Sequence, residues 1–326
     1  MYASIGRLGF FAALLAGALV PATASAQAWP TRPVKLVVGF AAGGNTDAIG
    51  RIAADRLGAA FGQPFLIENR VGASGAIAAE FVAKSPPDGY TFFVGATPNI
   101  LVVPRVNKVN YDGQKDFIPV AILTTNPFVL ATHPSIPVRT LREFVDYVKT
   151  RPGKLNFGSG GSGTVAHLSG ALLLSRAGIN VAHIPYKGGA PAVADLVGGQ
   201  IQMYFGNASE LIPHIRAGKV TVLGVSSEKR ARELPDVPSI AETYPGFHTY
   251  TWNGLLAPVG TPRAILERVA QEVARMVADP AVAERFHKIG TDPSGIALEK
   301  FAELIRKEQP MWVEAIKAAG IGPRAE

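Results

Sequence analysis

The chain has 326 residues, a formal net charge of +7 and no cysteine. The lack of cysteine excludes disulfides, thiolate metal sites and a thiol nucleophile. The basic residues are dispersed among acidic ones and form no run interleaved with aromatic residues, which disfavours nucleic-acid binding. The six histidines contain no His-x-x-x-His pair, so we expect neither a bound metal nor another cofactor.

Residues 1–26 have the features of a secretory signal peptide. Arg7 precedes an apolar run at 8–20, and Ala24-Ser25-Ala26 has the small-x-small form of a cleavage site. The apolar run is shorter than the ~20 residues that a membrane-spanning helix needs. We therefore expect an exported chain that begins near Gln27, with an uncleaved N-terminal anchor as the alternative.

The stretch from residue 34 to residue 95 alternates between apolar runs and amphipathic segments. It predicts strands at 34–40, 65–67 and 90–95. Between them it predicts a helix that Asn45 or Thr46 caps and that Gly62 and Pro64 stop, and a second helix at 72–84. Two consecutive strand-helix-strand units indicate an α/β protein with a parallel sheet and right-handed crossovers. Binding sites in such sheets lie at the carboxyl ends of the strands.

The middle of the chain repeats this pattern after a polar step. Apolar runs at 117–123 and 128–132 are split by residues 124–127, which indicates a crossing between two lobes. The elements predicted after the crossing are helices at 141–149, 165–177, 190–197 and 210–217, strands at 155–157, 181–185, 201–205, 220–225 and 250–258, and helices that begin near Pro262, Pro280 and Ala297.

The two crossings divide the mature chain into two lobes with a cleft between them. We expect a discontinuous first lobe at 27–124 and 227–326 and a second lobe at 125–226. Each lobe is predicted to hold a mainly parallel sheet flanked by helices, and the crossings form a hinge.

Two glycine-rich loops stand at equivalent places in the predicted lobes. Residues 41–45 and residues 158–164 each link a strand to a helix. Unpaired backbone N–H groups at the start of a helix form an anion site. Neither loop contains Lys or Arg, which favours a carboxylate over a phosphate. The glycine spacing does not match a dinucleotide or phosphate-binding loop, and a plain flexible turn is the alternative.

Further candidate ligand contacts lie at other strand ends and in the first turns of helices. They are Thr97, Asn99, His167, Tyr186, Lys187, Asn207, Ser209, Trp252 and Asn253. Several have a structural alternative: Asn207 and Ser209 can cap a helix, His167 can bond a carbonyl inside its lobe, and Trp252 can belong to the core. Asp47 can pair with Arg51 one helical turn away, or accept the ammonium group of an amino-acid ligand.

Catalysis has little support in the sequence. No Gly-x-Ser-x-Gly motif precedes a helix, and the serines of the second loop have no evident base near them in sequence. We therefore expect a binding protein and not an enzyme, with an exported serine hydrolase as the alternative.

Short motifs run in order along nearly the whole chain after residue 27. They include Trp29-Pro30, Phe40-Ala41-Ala42-Gly43-Gly44-Asn45-Thr46-Asp47, Glu68-Asn69-Arg70, Pro87-Asp88-Gly89-Tyr90-Thr91, Gly158-Ser159-Gly160-Gly161-Ser162-Gly163-Thr164, Pro185-Tyr186-Lys187-Gly188 and Leu234-Pro235-Asp236-Val237-Pro238. In these motifs the sequence resembles the periplasmic solute receptors of tripartite tricarboxylate transporters, often called Bug receptors.

This resemblance implies a two-lobed periplasmic binding protein, a type II-like Venus flytrap, that closes on a small carboxylate. Residues 98–104 depart from the family's usual pattern, which leaves the contacts of the distal half of the ligand open. The carboxylate contacts that the resemblance implies, through backbone and hydroxyl donors and ordered water, are Phe40, Ala42, Gly43, Thr46 and Asp47 on one wall and Ser159, Ser162, Gly163 and Thr164 on the other.

The function implied by the resemblance is capture and delivery. The ligand would be a mono- or dicarboxylate, an aromatic carboxylate or an amino acid. A monomeric receptor would carry it to the membrane permease of a tripartite tricarboxylate transporter, and reporting the ligand to a sensor is the alternative.

Overall fold

The computed structural model describes residues 29–186, 188–232 and 234–322. The signal peptide expected at 1–26 and the candidate Lys187 lie outside these residues. Within the described ranges, no helix is both long enough and apolar enough to cross a membrane.

The first part of the chain folds as two successive strand-helix-strand units. Its elements are β1 (Val34–Val38), α1 (Asn45–Phe61), β2 (Phe65–Asn69), α2 (Ala76–Ala83) and β3 (Thr91–Ala96). The predicted parallel pairing is confirmed, since β1 pairs in parallel with both β2 and β3. α1 ends at Gly62, whose φ of 67° closes the helix in a left-handed conformation that glycine adopts without strain.

A π-helical turn (Pro98–Val102) and the short helix α3 (Val103–Val106) follow β3. The sequence analysis assigned no helix to these residues. Both prolines stand in the first turn of their segments, where the N–H that proline lacks would have no helical partner. The two prolines are therefore compatible with helical geometry here.

The middle of the chain supplies most of the second sheet. Its elements are β4 (Phe117–Thr132), α4 (Leu141–Lys149), β5 (Asn156–Ser159), α5 (Val165–Ala177), β6 (Ala182–Pro185), α6 (Gly189–Val197), β7 (Met203–Asn207), α7 (Ala208–Arg216) and β8 (Thr221–Val225). β5 pairs in parallel with both β6 and β7. This half therefore repeats the parallel arrangement of β2, β1 and β3.

The last part of the chain packs back onto both halves. Its elements are β9 (Tyr250–Pro258), α8 (Arg263–Ala278), α9 (Pro280–Lys288), β10 (Asp292–Pro293) and α10 (Leu298–Ala318). β9 lies antiparallel between β3 and β4. α10 packs against both β4 and α5, so this helix contacts elements of both halves.

β4 joins the two sheets as one continuous strand of 16 residues. It pairs with β9 from Phe117 to Pro127, and with β7 from Phe128 to Thr132. The two apolar runs predicted from the sequence are thus parts of a single strand. The polar residues 124–127 lie where the strand changes its pairing partner from β9 to β7, and the backbone continues through them without a break.

Candidate functional site

A cavity of about 360 Å³ lies between the two sheets, at the ends of their strands. Phe40 and Ala96 line it from the ends of β1 and β3, and Gly160 lines it from the end of β5. Asn126 and Phe128 line it from the point on β4 where the pairing partner changes. The cavity is therefore built by both halves of the molecule, as expected for open parallel sheets.

Four helices begin at this cavity. Its lining includes the first residues of α1, α5, α6 and α7, namely Asn45, Val165, Gly189 and the capping residue Asn207. The N–H groups of a helix's first turn have no partners within the helix, and the helix dipole is positive at this end. No Lys, Arg or His is among the described residues that line the cavity. The positive potential of the described wall therefore comes from backbone amides.

Asn253 presents a buried donor in the same cavity. It lies in β9, is only 1% exposed, and its Oδ1 accepts a hydrogen bond of 2.9 Å from the Thr46 hydroxyl. Its Nδ2 has no hydrogen-bond partner among the described residues. Buried polar groups in native proteins are nearly always paired, so a free amide in a cavity wall indicates a ligand or water acceptor.

Of the neighbouring candidates Trp252 and Asn253, the structure places Asn253 in the cavity wall and Trp252 outside it. Side chains alternate between the faces of a strand, and Trp252 points to the opposite face. Its ring lies 4.9 Å from that of Phe301 and its Nε1 donates to Glu308 at 3.2 Å. Trp252 is therefore a core residue, which was the alternative given for it in the sequence analysis.

Asp47 organises the first glycine-rich loop from inside. The carboxylate is 1% exposed and accepts hydrogen bonds from the Gly43 amide at 2.9 Å, from Arg51 Nε at 2.8 Å and from Asn69 Nδ2 at 2.9 Å. Burial by itself would raise the pKa of Asp47, but these hydrogen bonds outweigh it and lower the pKa. Because its oxygens already have these partners, Asp47 is poorly placed to accept a ligand ammonium group.

The second loop is supported by two stacked histidines. The rings of His167 and His183 lie 3.8 Å apart, and burial lowers the pKa of each to about 4, so both are neutral at pH 7. His167 Nδ1 accepts from the Gly163 amide at 3.1 Å, and His183 Nε2 lies 2.8 Å from the Ser159 hydroxyl. Ser159 is fully buried and does not line the cavity, so this Ser–His pair has no access to a ligand there.

The predicted ligand contacts fall into two groups, those that line the cavity and those that do not. Phe40, Thr46, Thr164, Asn207 and Asn253 line the cavity, and Thr164 also caps α5 by accepting from the His167 amide. The residues that do not line it are Ala42, Gly43, Asp47, Thr97, Asn99, Ser159, Ser162, Gly163, His167, Tyr186, Ser209 and Trp252.

Several of the residues outside the cavity have clear structural partners. Thr97 accepts from the Trp252 amide at 3.1 Å, and Asn99 bonds the backbone of Ala96 and Ser74 at 3.0 and 2.7 Å. The Tyr186 hydroxyl donates to Asp195 at 2.7 Å, and burial raises the pKa of Tyr186 to about 12.

Ser162 and Gly163 line a different cavity. It has a volume of about 900 Å³ and lies beside α3 and Ile321. In the first loop, Ala42 is exposed and the Gly43 amide donates to Asp47.

The sequence reasoning missed Glu210 as a site residue. Glu210 lines the cavity from the first turn of α7 and accepts a hydrogen bond from the Tyr204 hydroxyl. Burial raises the pKa of Glu210, although hydrogen bonds from Tyr204 and Asn207 oppose this change. The sequence feature that could have indicated Glu210 is its position three residues after Asn207, which places it one helical turn from a predicted contact.

Comparison with known proteins identifies the family. The family described as "Tripartite tricarboxylate transporter family receptor" matches residues 49–321. The chain belongs to this family. The receptor is also 39% identical over 321 residues to a UPF0065 protein from the tcbD-tcbE intergenic region of Pseudomonas sp. strain P51, a match that covers 96% of this chain and 95% of the relative.

Solved structures of similar proteins confirm the predicted fold. Rpa4515 of R. palustris, solved with adipate, is 36% identical to the receptor, with a TM-score of 0.80 over 90% of this chain and 99% of that one. MatC of Rhodopseudomonas palustris, solved with bound malate, is 33% identical, with a TM-score of 0.75 over 88% and 100%. The two-lobed periplasmic-binding-protein fold and the suspected family are both confirmed. The family consists of solute-binding receptors and not of enzymes.

Proposed function

We propose that this receptor captures a small carboxylate in the cavity between its lobes and delivers it to a tripartite tricarboxylate transporter in the membrane. The observation that carries the proposal is the convergence of four helix starts and the free Asn253 amide on one cavity. Amide donors with no cationic side chain in the described wall suit a carboxylate better than a phosphate. The adipate and malate bound by similar proteins support the same ligand class.

The ligand carboxylate is proposed to bind between the starts of α1 and α5. Thr46 and Thr164 stand there, one on each wall. The other predicted loop contacts do not line this cavity, and the Gly43 and Gly163 amides bond Asp47 and His167. These residues are therefore proposed to reach the carboxylate through ordered water. An anion that contacts both helix starts stabilises the form in which the two walls are close together.

Closure of the cleft is proposed as the signal for delivery. The first lobe would comprise residues 27–124 and 227–326, and the second residues 125–226, with β4 as one hinge crossing. A ligand that contacts both walls binds the closed form better than the open form and so shifts the population toward it. The closed monomer, exported to the periplasm, would then dock on the permease.

A thermal-shift assay on ligand-free protein tests carboxylate binding. The chain has no cysteine, so carried-over ligand is removed by unfolding and refolding without thiol chemistry. A bound carboxylate at a hundredfold excess over its dissociation constant stabilises the fold by about 2.7 kcal/mol. This corresponds to a rise of about 4–5 °C in the melting temperature for a chain of this size.

A broad panel of mono- and dicarboxylates and amino acids that produces no shift contradicts the proposal. Delivery is tested separately by uptake of the bound carboxylate in cells that lack the receptor. Uptake that is unchanged without the receptor refutes the transport role and leaves the binding role standing.

A further inference from the structure

The described wall of the cavity contains one acidic side chain. Among the residues that line it, only Glu210 and Tyr204 carry ionisable side chains, and Glu210 is partly exposed to the cavity. A carboxylate side chain beside the proposed carboxylate-binding site weakens the binding of any negatively charged group that lies next to it, because like charges repel most strongly where water is excluded. Glu210 therefore bears on which carboxylates the cavity accepts.

Burial raises the pKa of Glu210, while its hydrogen-bond donors favour the ionised form. The Tyr204 hydroxyl donates to Glu210 Oε2, and Asn207 adds further hydrogen bonds. The carboxyl packs on Gly189, the first residue of α6, so closely that a Cβ at that position would overlap it. Tyr204 and Asn207 offer O–H and N–H groups, which an ionised carboxylate accepts.

Glu210 lies close to the starts of two of the four helices and not to those of the other two. It lies in the first turn of α7 and against the start of α6, so its charge offsets the positive ends of these two helices. The starts of α1 and α5 have no such acid in the cavity lining, since Asp47 faces the inside of its loop. The cavity thus has an anion-binding end at α1 and α5 and an acidic end at Glu210.

We propose that Glu210 selects ligands that carry one carboxylate and one ammonium group, and that it disfavours dicarboxylates of the same length. This inference rests on the proposed carboxylate-binding function. The ligand carboxylate occupies the starts of α1 and α5, and its ammonium group donates to Glu210. A second carboxylate at the same place would meet the Glu210 charge instead.

Calorimetric titration with ligands of matched length tests the inference. The probes are butyrate, 4-aminobutyrate and succinate, and the six-carbon set hexanoate, 6-aminohexanoate and adipate. Wild-type protein is expected to bind the amino acid of a set most tightly and the dicarboxylate least tightly. Glu210→Gln is expected to weaken amino-acid binding by about tenfold to a hundredfold and to strengthen dicarboxylate binding.

Three controls test whether the change in affinity is specific to Glu210. Glu284→Gln makes the same change at an exposed position on α9 and is expected to leave all affinities unchanged. The unfolding midpoint of Glu210→Gln without ligand reports whether the cavity wall is intact. Tyr204→Phe removes one neighbour but keeps the charge, and it is expected to retain the order of preference.

The outcomes separate this inference from the proposed function. If wild-type protein prefers the dicarboxylate, or if Glu210→Gln keeps the preference for the amino acid, the role of Glu210 is refuted while carboxylate binding stands. If no member of either set binds, and the broad panel also fails, the proposed function itself is refuted.

Discussion

Asn253 offers a direct test of the site. Its Nδ2 is buried without a partner among the described residues, whereas its Oδ1 accepts from Thr46 at 2.9 Å. Asn253→Ala removes the donor that we expect to meet the ligand carboxylate. A hydrogen bond to a charged group contributes about 1.5–3 kcal/mol, so the affinity for the ligand is expected to fall by about tenfold to 150-fold.

The same substitution is expected to have little effect on the unliganded protein. The loss of the Thr46 hydrogen bond costs about 1 kcal/mol, and relief of an unpaired buried donor offsets a similar amount. The free energy of unfolding should therefore change by no more than about 1 kcal/mol. A large loss of affinity with little loss of stability distinguishes a ligand contact from a structural residue.

Calorimetric titration with the tightest carboxylate from the panel measures the affinity, and urea denaturation measures the stability. Asn110→Ala is the matched control, because Asn110 is exposed and its amide contacts only Glu80 in the described structure. Unchanged affinity in a folded Asn253→Ala protein would refute the assignment of this cavity. A loss of stability above about 3 kcal/mol would show that Asn253 is structural.

Two further predictions concern the loops. Asp47→Ala is expected to lower the free energy of unfolding by about 2–4 kcal/mol, because the buried carboxylate joins three groups. Arg51→Ala is expected to cost less, about 1–2 kcal/mol, because Asp47 keeps its hydrogen bonds to Gly43 and Asn69. Equal effects in urea denaturation would contradict this. His167 and His183 have pKa values of about 4 in the folded protein and ~6.5 in the unfolded chain. Because the folded protein holds them neutral, their contribution to the free energy of unfolding is complete above pH 6.5 and is lost as the pH falls toward 4. Between pH 7.5 and pH 5 the free energy of unfolding should fall by about 2–4 kcal/mol, and a fall that is unchanged in a His167→Gln, His183→Gln double variant would refute the assignment.

Much of the fold follows from local sequence patterns. The helix predicted at 165–177 and the strand predicted at 250–258 have those bounds in the structure. The glycines and prolines that end elements act on their immediate neighbours, so their effect is visible in sequence. The continuity of β4 was not visible, because the change of pairing partner at Pro127 depends on strands that lie far along the chain.

The sequence by itself determined the family, the two α/β halves and the two glycine-rich loops that open helices. Only the tertiary structure decided which side chains face the cavity. Thr46 meets Asn253 across 207 positions of sequence, and His183 reaches Ser159 from the neighbouring strand. Helix starts are made by local backbone geometry, but the orientation of a side chain depends on how strands from both halves pack. For that reason the loops were found in advance, whereas the choice of Asn253 over Trp252 and the position of Glu210 emerged only once the strands were in place.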